Sequence, residues 1–253
     1  MESVKGYFDY NVTDKCISNN FENIAKQLYD FGYHTIAINQ TIDESLLEES
    51  ISEGKKKKKI ERQDIVPSPI DAKIIKGCDK LKILNRLTIS FTTQDIINRI
   101  IKSPNYRKYH IIAAQPESQQ AFQFTCTNFE ADIFTFNPST KPNYKMQRKL
   151  YYLLVERGVH FEIMYGPAIE DSTKRKNIIA TAHMYHSFGK SRNIIISSGI
   201  TNSFLIRNPY DVINLGLLFG LSDGQAKDAI QNNGRNVYMH GSTVLEFVCW
   251  KLY

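Results

Sequence analysis

Polar side chains stand at or near the ends of several segments that the sequence predicts to be buried β-strands. Asp9 and Asn11 fall in the first such segment, and Asn39 ends the second. The carboxyl ends of parallel strands in a barrel meet on one face, where the chemistry of barrel enzymes takes place. Most side chains on this predicted face are amides or hydroxyls. The residues expected there are Asp9, Asn11, Asn39, Thr92, Gln115, Asn137, Tyr165, Ser197, Ser198 and His240.

Metal-dependent hydrolysis is the first chemistry to consider for these residues. Such a site needs several His, Asp or Glu side chains that converge on one or two cations. Asp9 and His240 qualify clearly, and Glu162 joins them if its side chain faces inward. His183 and His186 lie three residues apart on a predicted helix, but no H-E-x-x-H motif accompanies them. Two ligands do not make a catalytic metal site.

Motifs for nucleophilic catalysis and for phosphate binding by a glycine-rich loop are missing from the sequence. Ser197 and Ser198 lack the G-x-S-x-G turn that exposes the catalytic serine of many hydrolases. The glycines of the segment GLLFGLSDG do not form a P-loop, and we expect them to let helices pack closely. An enzyme that acts alone is therefore not indicated. A metal-dependent phosphoesterase that uses Asp9 and His240 is the alternative.

Basic residues recur in the predicted loops and at the predicted helix starts. The chain has 32 Lys and Arg against 26 Asp and Glu, which gives a net charge of +6. Cations mixed with amides and hydroxyls bind a phosphate backbone, because the cations release counterions and the hydroxyls fix the register. No zinc finger or aromatic RNA-recognition signature indicates sequence-specific reading of bases. The pattern favours a polyanionic partner, with an ordinary basic surface as the alternative.

The elements that must position these residues alternate along the chain. Seven or eight strands separated by helices predict an α/β fold, a (β/α) barrel of the TIM type. An open, doubly wound sheet is the alternative architecture. The connection between the second and third strands is irregular, so the barrel can be incomplete or distorted. The predicted strands lie near residues 7–12, 35–39, 81–91, 110–114, 132–136, 160–165, 193–198 and 236–240.

The stretch 192–229 is the clearest unit of this fold. Its strand, 193–198, is a continuous apolar run, as expected of a central parallel strand covered on both faces. The preceding helix is predicted to start at Asp171 or Ser172 and to stop at Gly189. Asn208 and Pro209 predict the start of a helix over 211–221. Because that helix is apolar nearly all round, it either closes the barrel wall or binds a partner subunit.

Length and composition indicate one domain over 1–253 with a basic insertion. The 253 residues, 42% of them hydrophobic, suit one large α/β core. Residues 43–70 interrupt the pattern and include five consecutive lysines at 55–59, which predict a mobile, solvated loop. Four cysteines without a C-x-x-C pair, and no signal peptide or membrane-spanning run, predict a soluble protein in a reducing intracellular compartment.

Four long blocks of sequence follow one another along the chain. They are LKILNRLTI from Leu81, FEIMYGPAIEDSTKRK from Phe161, NIIISSG from Asn193 and IRNPYDVINLGLLFGLSDGQAKDAI from Ile206. In this order they resemble the TIM-barrel protein subunit of RNase P and RNase MRP, a family with archaeal and eukaryotic members, and the likeness extends from about Tyr7 to about Gly241. The family fold is also distantly similar to phosphoesterase barrels of the polymerase-histidinol-phosphatase type. Those carry an H-x-H motif where this chain reads Asp9-Tyr10-Asn11.

The resemblance implies a non-catalytic, RNA-binding subunit of an RNA enzyme that removes the 5′ leader of precursor tRNA or processes ribosomal RNA. It implies Mg²⁺ for the RNA catalyst, and no cofactor, metal or membrane bound by this chain. The implied partners are the RNase P or MRP RNA, a small α/β protein subunit and the other proteins of the particle, in the nucleus and nucleolus. From the matched blocks we expect RNA contacts from Arg86, Lys174, Arg175, Lys176, Lys190, Arg192 and Arg207.

Overall fold

Seven parallel strands pair in chain order to form one sheet. We describe residues 6–16, 21–44, 64–71 and 81–250 of a computed structural model, with the backbone alone for 242–250. After the last strand, Ile200 forms a parallel bridge with Val12 of the first, so the sheet closes. The predicted barrel is confirmed. The strands are β1 (Tyr7–Thr13), β2 (Tyr33–Asp43), β3 (Lys82–Phe91), β4 (Ile111–Pro116), β5 (Ile133–Phe134), β6 (His160–Met164) and β7 (Ile194–Ser197).

Helices cover the outside of the barrel, and side chains at their starts explain where several begin. Ser118, Asp171, Asn208 and Ser222 each accept a hydrogen bond from a backbone N–H of the first helical turn. None of the helices within the described ranges is long and apolar enough to cross a membrane. They are α1 (Phe21–Asp30), α2 (Gln94–Ile100), α3 (Gln119–Thr127), α4 (Arg148–Glu156), α5 (Tyr165–Glu170), α6 (Ser172–Gly189), α7 (Pro209–Leu218), α8 (Asp223–Ile230) and α9 (Asn232–Trp250).

The predicted eighth strand at 236–240 is wrong, because these residues belong to α9. This helix lies across the amino-terminal end of the barrel. Val237 is buried among the apolar side chains of the barrel interior. Tyr10 Oη donates a hydrogen bond to Gly234 O (2.5 Å), and Asn233 Nδ2 donates to Ile194 O (2.7 Å). The apolar interior would otherwise be open to water at this end, so α9 serves as its plug.

The end of α6 also differs from the prediction. Gly189 is the last residue of the helix, and the residue in the left-handed conformation is Lys190, with φ of 55°. Glycine is required at 189 for a different reason: a Cβ there would overlap the ring of Tyr151 from α4. The small residue therefore allows close helix packing and does not itself form the turn.

The structure describes residues at both ends of the predicted insertion, 43–70. β2 continues to Asp43. Val66 is buried, and its carbonyl accepts a hydrogen bond from Asn105 Nδ2 (2.9 Å). Asn85 of β3 exchanges two hydrogen bonds with the backbone of Ile70, at 2.9 and 3.1 Å. Residues 64–70 therefore contact β3 and the loop that follows α2. The lysines at 55–59 lie outside the described residues.

Candidate functional site

A buried ion pair crosses the interior of the barrel. Arg86 of β3 and Glu162 of β6 are both 0% exposed, and the Arg86 guanidinium binds both carboxylate oxygens, at 2.5 and 2.7 Å. Arg86 also donates to Tyr10 O (2.9 Å) and to Thr88 Oγ1 (3.1 Å). The predicted RNA contact by Arg86 is wrong, because its side chain faces inward and its donors are satisfied there.

Glu162 also binds polar side chains inside the barrel, two of which, Asn11 and Ser197, belong to the predicted face. It accepts hydrogen bonds from Asn11 Nδ2 (3.2 Å), Thr135 Oγ1 (2.6 Å) and Ser197 Oγ. Burial alone would raise the pKa of the Glu162 carboxyl, but the charge of Arg86 and these hydrogen bonds outweigh it and hold the pKa below its ordinary value. Glu162 is thus an ionised structural partner of Arg86.

Asp9 and His240, the two candidate metal ligands, do not converge. Asp9 is buried in the barrel, where its Oδ1 accepts from the backbone N–H groups of Asn11 (3.1 Å) and Ser198 (2.9 Å), and burial raises its pKa. His240 lies on α9 at the amino-terminal end, with Nδ1 2.7 Å from Asp132 Oδ1. In the part of the chain that the structure describes, no three His, Cys, Asp or Glu side chains form a metal-binding group. The phosphoesterase alternative is not favoured.

Four of the expected RNA-contacting cations lie at the carboxyl-terminal end of the barrel. Lys174, Arg175 and Lys176 occupy the first turns of α6, which follows β6 and the short α5. Arg175 donates to two carbonyl groups of α5, at 2.6 and 3.1 Å, so its guanidinium is held in place. Lys174 forms a long ion pair with the half-exposed Glu170 (3.7 Å), and Lys176 is exposed.

Arg207 precedes α7 in the loop that follows β7. Its backbone N–H donates to Tyr165 Oη (3.3 Å), and its carbonyl accepts from Tyr33 Oη (3.1 Å). Its Nη1 donates to the carbonyls of Phe204 and Ile206, at 2.8 and 2.9 Å. Arg207 is therefore a partly exposed cation on a fixed backbone.

Lys190 and Arg192 lie at the opposite end of the barrel. They form the turn between α6 and the start of β7, and the length of α6 separates Lys190 from Lys174 by about 24 Å. The Arg192 guanidinium carbon lies 5.8 Å from the ring centroid of Tyr152, and that of Arg148 lies 5.7 Å from the same centroid. Apart from the buried Arg86, the expected cations thus lie on two surfaces at opposite ends of the barrel.

Arg148 and Tyr152 are not among the residues expected from the sequence to contact RNA. Their spacing of four residues on a predicted helix is a signal that could have paired them. No comparable signal links Tyr152 to Arg192, which is 40 positions further along the chain. The packing of α4 against the end of α6 brings them together.

The apolar helix α7 has one buried and one exposed face. Val212 and Gly216 are buried, and the backbone of Gly216 lies so close to Ala226 of α8 that a Cβ would overlap it. The prediction that the helix closes the barrel wall is confirmed for this face. On the other face, Tyr210 and Leu218 are 66% and 67% exposed. This second face is open to a partner.

A protein-family model and several named proteins match most of this chain. The family model described as RNase P subunit p30 matches residues 6–244. Ribonuclease P protein subunit p30 of Mus musculus is 36% identical over 215 residues, which cover 84% of this chain and 77% of the mouse protein. Ribonuclease P/MRP protein subunit RPP1 of Saccharomyces cerevisiae is 27% identical over 238 residues, which cover 91% of this chain and 75% of the yeast protein.

A solved structure agrees with this match at the level of the fold. A chain of an archaeal ribonuclease P, determined by cryo-EM with mature tRNA, aligns with a TM-score of 0.56 at 16% identity, covering 95% of this chain and 90% of that one. At this identity the likeness shows a shared barrel fold alone. The family model itself matches residues 6–244, which extend from β1 into α9. The chain therefore belongs to the RNase P subunit p30 family.

Proposed function

We propose that this chain is a non-catalytic, RNA-binding subunit of RNase P, RNase MRP or both. It braces the catalytic RNA for cleavage of the 5′ leader of precursor tRNA or for processing of ribosomal RNA, in the nucleus and nucleolus. The family match over residues 6–244 carries this proposal. The barrel interior supports its non-catalytic part, because Arg86 and Glu162 satisfy each other where a hydrolase would keep groups free for metal and substrate.

The main RNA-binding surface that we propose is the carboxyl-terminal end of the barrel. Lys174 and Lys176 stand beside the exposed hydroxyls of Ser172 and Thr173, and Arg207 is on the loop after β7. Such cations release counterions from the RNA backbone, while hydroxyls fix its register. Neutralising phosphates lets the RNA fold compactly and lowers its requirement for Mg²⁺. In this proposal Mg²⁺ acts with the RNA, and the chain itself binds no cofactor.

We propose that the exposed face of α7 binds the small α/β protein subunit of the particle. Exposed apolar side chains on one helix face mark protein interfaces, and Leu217, Leu218 and Tyr210 are 45%, 67% and 66% exposed. The substitution Leu218→Lys should abolish co-purification of the small subunit without changing the melting temperature, because the side chain is exposed in the free protein. Undiminished co-purification would argue against this surface.

The RNA-binding proposal is tested by the salt dependence of binding. The full chain is titrated against transcribed RNase P RNA at several salt concentrations, as wild type and as the triple variant K174Q/K176Q/R207Q. The slope of log K against log salt should fall by about 0.7–0.9 for each phosphate that the variant no longer neutralises. The control K26Q/K102Q/K227Q removes three exposed lysines from other surfaces. Equal slopes and affinities for the two triple variants would mean that the surface is wrongly placed.

The phosphoesterase alternative has its own test. Metal analysis of the purified chain is combined with an assay on a generic phosphodiester substrate. We expect no turnover by the chain alone. If the chain binds metal tightly in a stoichiometric amount and its turnover depends on Asp9, the chain is an enzyme and not a non-catalytic subunit.

A further inference from the structure

The turn between α6 and β7 has a strained backbone. Lys190, Ser191 and Asn193 adopt left-handed φ angles of 55°, 57° and 54°. This conformation is unfavourable for residues with a Cβ and persists only where the surroundings determine it. Such strain concentrates at functional positions, where it fixes the direction of a side chain. Between these residues stands Arg192, which is exposed.

Contacts from three neighbouring elements hold this turn in place. Tyr151 of α4 donates from its Oη to Arg192 O (2.6 Å), and Gln225 of α8 donates from Nε2 to Lys190 O (3.0 Å). The side-chain amide of Asn193 donates to the carbonyl of the residue before β6 (3.2 Å). The strained turn is therefore a rigid support for the side chains of Lys190 and Arg192.

Two arginines at this support share one tyrosine ring. The guanidinium carbons of Arg192 and Arg148 lie 5.8 and 5.7 Å from the ring centroid of Tyr152. The preceding residue, Tyr151, is fully buried and stacks on Phe161 of β6 with ring centroids 4.1 Å apart, which anchors this part of α4. Among the described residues, neither guanidinium has a carboxylate partner or a hydrogen-bond acceptor. Their N–H donors are available to a ligand.

We propose that Arg148 and Arg192, held against Tyr152, form a phosphate clamp for the backbone of RNA. The planar guanidinium group binds two phosphate oxygens at once, and the tyrosine face orients it through a cation–π contact. The rigid turn reduces the ordering that binding would otherwise require. The clamp rests on the proposed function and adds a second contact surface, at the end of the barrel opposite Lys174 and Lys176.

The clamp is tested with the full chain and transcribed RNase P RNA. The double variant R148Q/R192Q should bind about tenfold more weakly for each arginine removed, with a correspondingly shallower salt slope. The control K26Q/K102Q loses the same charge from exposed lysines elsewhere and should bind within about twofold of wild type. R148K/R192K keeps the charge but loses the planar fork, so it should recover only part of the affinity. Y152L should weaken binding although it removes no charge.

Several outcomes would overturn the clamp. R148Q/R192Q binding as tightly as K26Q/K102Q would show that the arginines do not contact RNA. Full recovery in R148K/R192K, with no effect of Y152L, would show a diffuse charge effect without clamp geometry. If K174Q/K176Q/R207Q loses RNA binding while R148Q/R192Q does not, the clamp alone fails. If the wild-type chain does not bind RNA, the proposed function fails with it. The arginines are exposed, so all variants should melt near the wild-type temperature.

Discussion

The substitution Glu162→Gln removes one charge from the barrel interior with little change of shape. It leaves the Arg86 guanidinium, which is 0% exposed, without its counter-ion. Removal of one partner from a buried ion pair costs about 3–5 kcal/mol. Since domains of this kind are stable by about 5–15 kcal/mol, the variant should lose a large share of its folding free energy.

The remaining contacts of Glu162 make a second variant informative. The new amide can still bond with Asn11, Thr135 and Ser197, so the main defect of E162Q is the uncompensated charge of Arg86. Adding Arg86→Met removes that charge. R86M/E162Q should therefore be more stable than E162Q, even though it carries one more substitution.

The assay is urea-induced unfolding at pH 7 and in acid. The pKa of Glu162 is lower in the folded protein than the ordinary value of 4.5, so its stabilisation is complete above that value and is lost as the pH falls through the folded-state pKa. The gap between wild type and E162Q should shrink in acid. Glu170→Gln, in a half-exposed pair with Lys174, is the control and should cost less than about 1 kcal/mol. If E162Q costs no more than E170Q, or if R86M/E162Q is less stable than E162Q, Glu162 does not compensate a buried charge on Arg86.

Two further predictions concern the amino-terminal end of the barrel. The hydrogen bond that His240 donates to Asp132 raises the pKa of His240 above 6.5. This pair therefore stabilises the fold fully below that pH, and its contribution is lost as the pH rises through the folded-state pKa. His240→Gln should therefore lower the melting temperature more at pH 6 than at pH 9, and equal losses would contradict this account. Gly189→Ala should lower the free energy of unfolding in urea by about 1–3 kcal/mol, because the new Cβ overlaps the Tyr151 ring. Gly224→Ala is the control and should not have this cost, because the space around Gly224 is open. Similar losses for the two variants would argue against the overlap.

The barrel was predictable because its signals are local. The apolar run of β7 and the cap Asn208 act within a few residues, and both work in the structure as expected. The segment 236–240 carries an equally local alternating pattern, yet it forms part of α9. There the exposed apolar end of the barrel decided the outcome, and that requirement exists only after seven strands have closed.

The candidate site was less predictable because its contacts are distant in sequence. Arg86 and Glu162 are 76 positions apart, and nothing in the neighbourhood of either residue shows that they face each other. The matched blocks therefore indicated a basic residue but not the inward direction of its side chain. Arg192 and Tyr152 come together only through the packing of α4 and the strained turn after α6.

An RNA-binding subunit of RNase P or RNase MRP must contact the RNA of one of these particles, so the RNA that this chain contacts in its own cells should be identified. Ultraviolet crosslinking of the full chain, followed by sequencing of the attached RNA, should recover RNase P RNA, MRP RNA or both. Recovery should be strongly reduced with K174Q/K176Q/R207Q and unchanged with K26Q/K102Q/K227Q. Crosslinked RNA that contains neither species above background would contradict the proposed function.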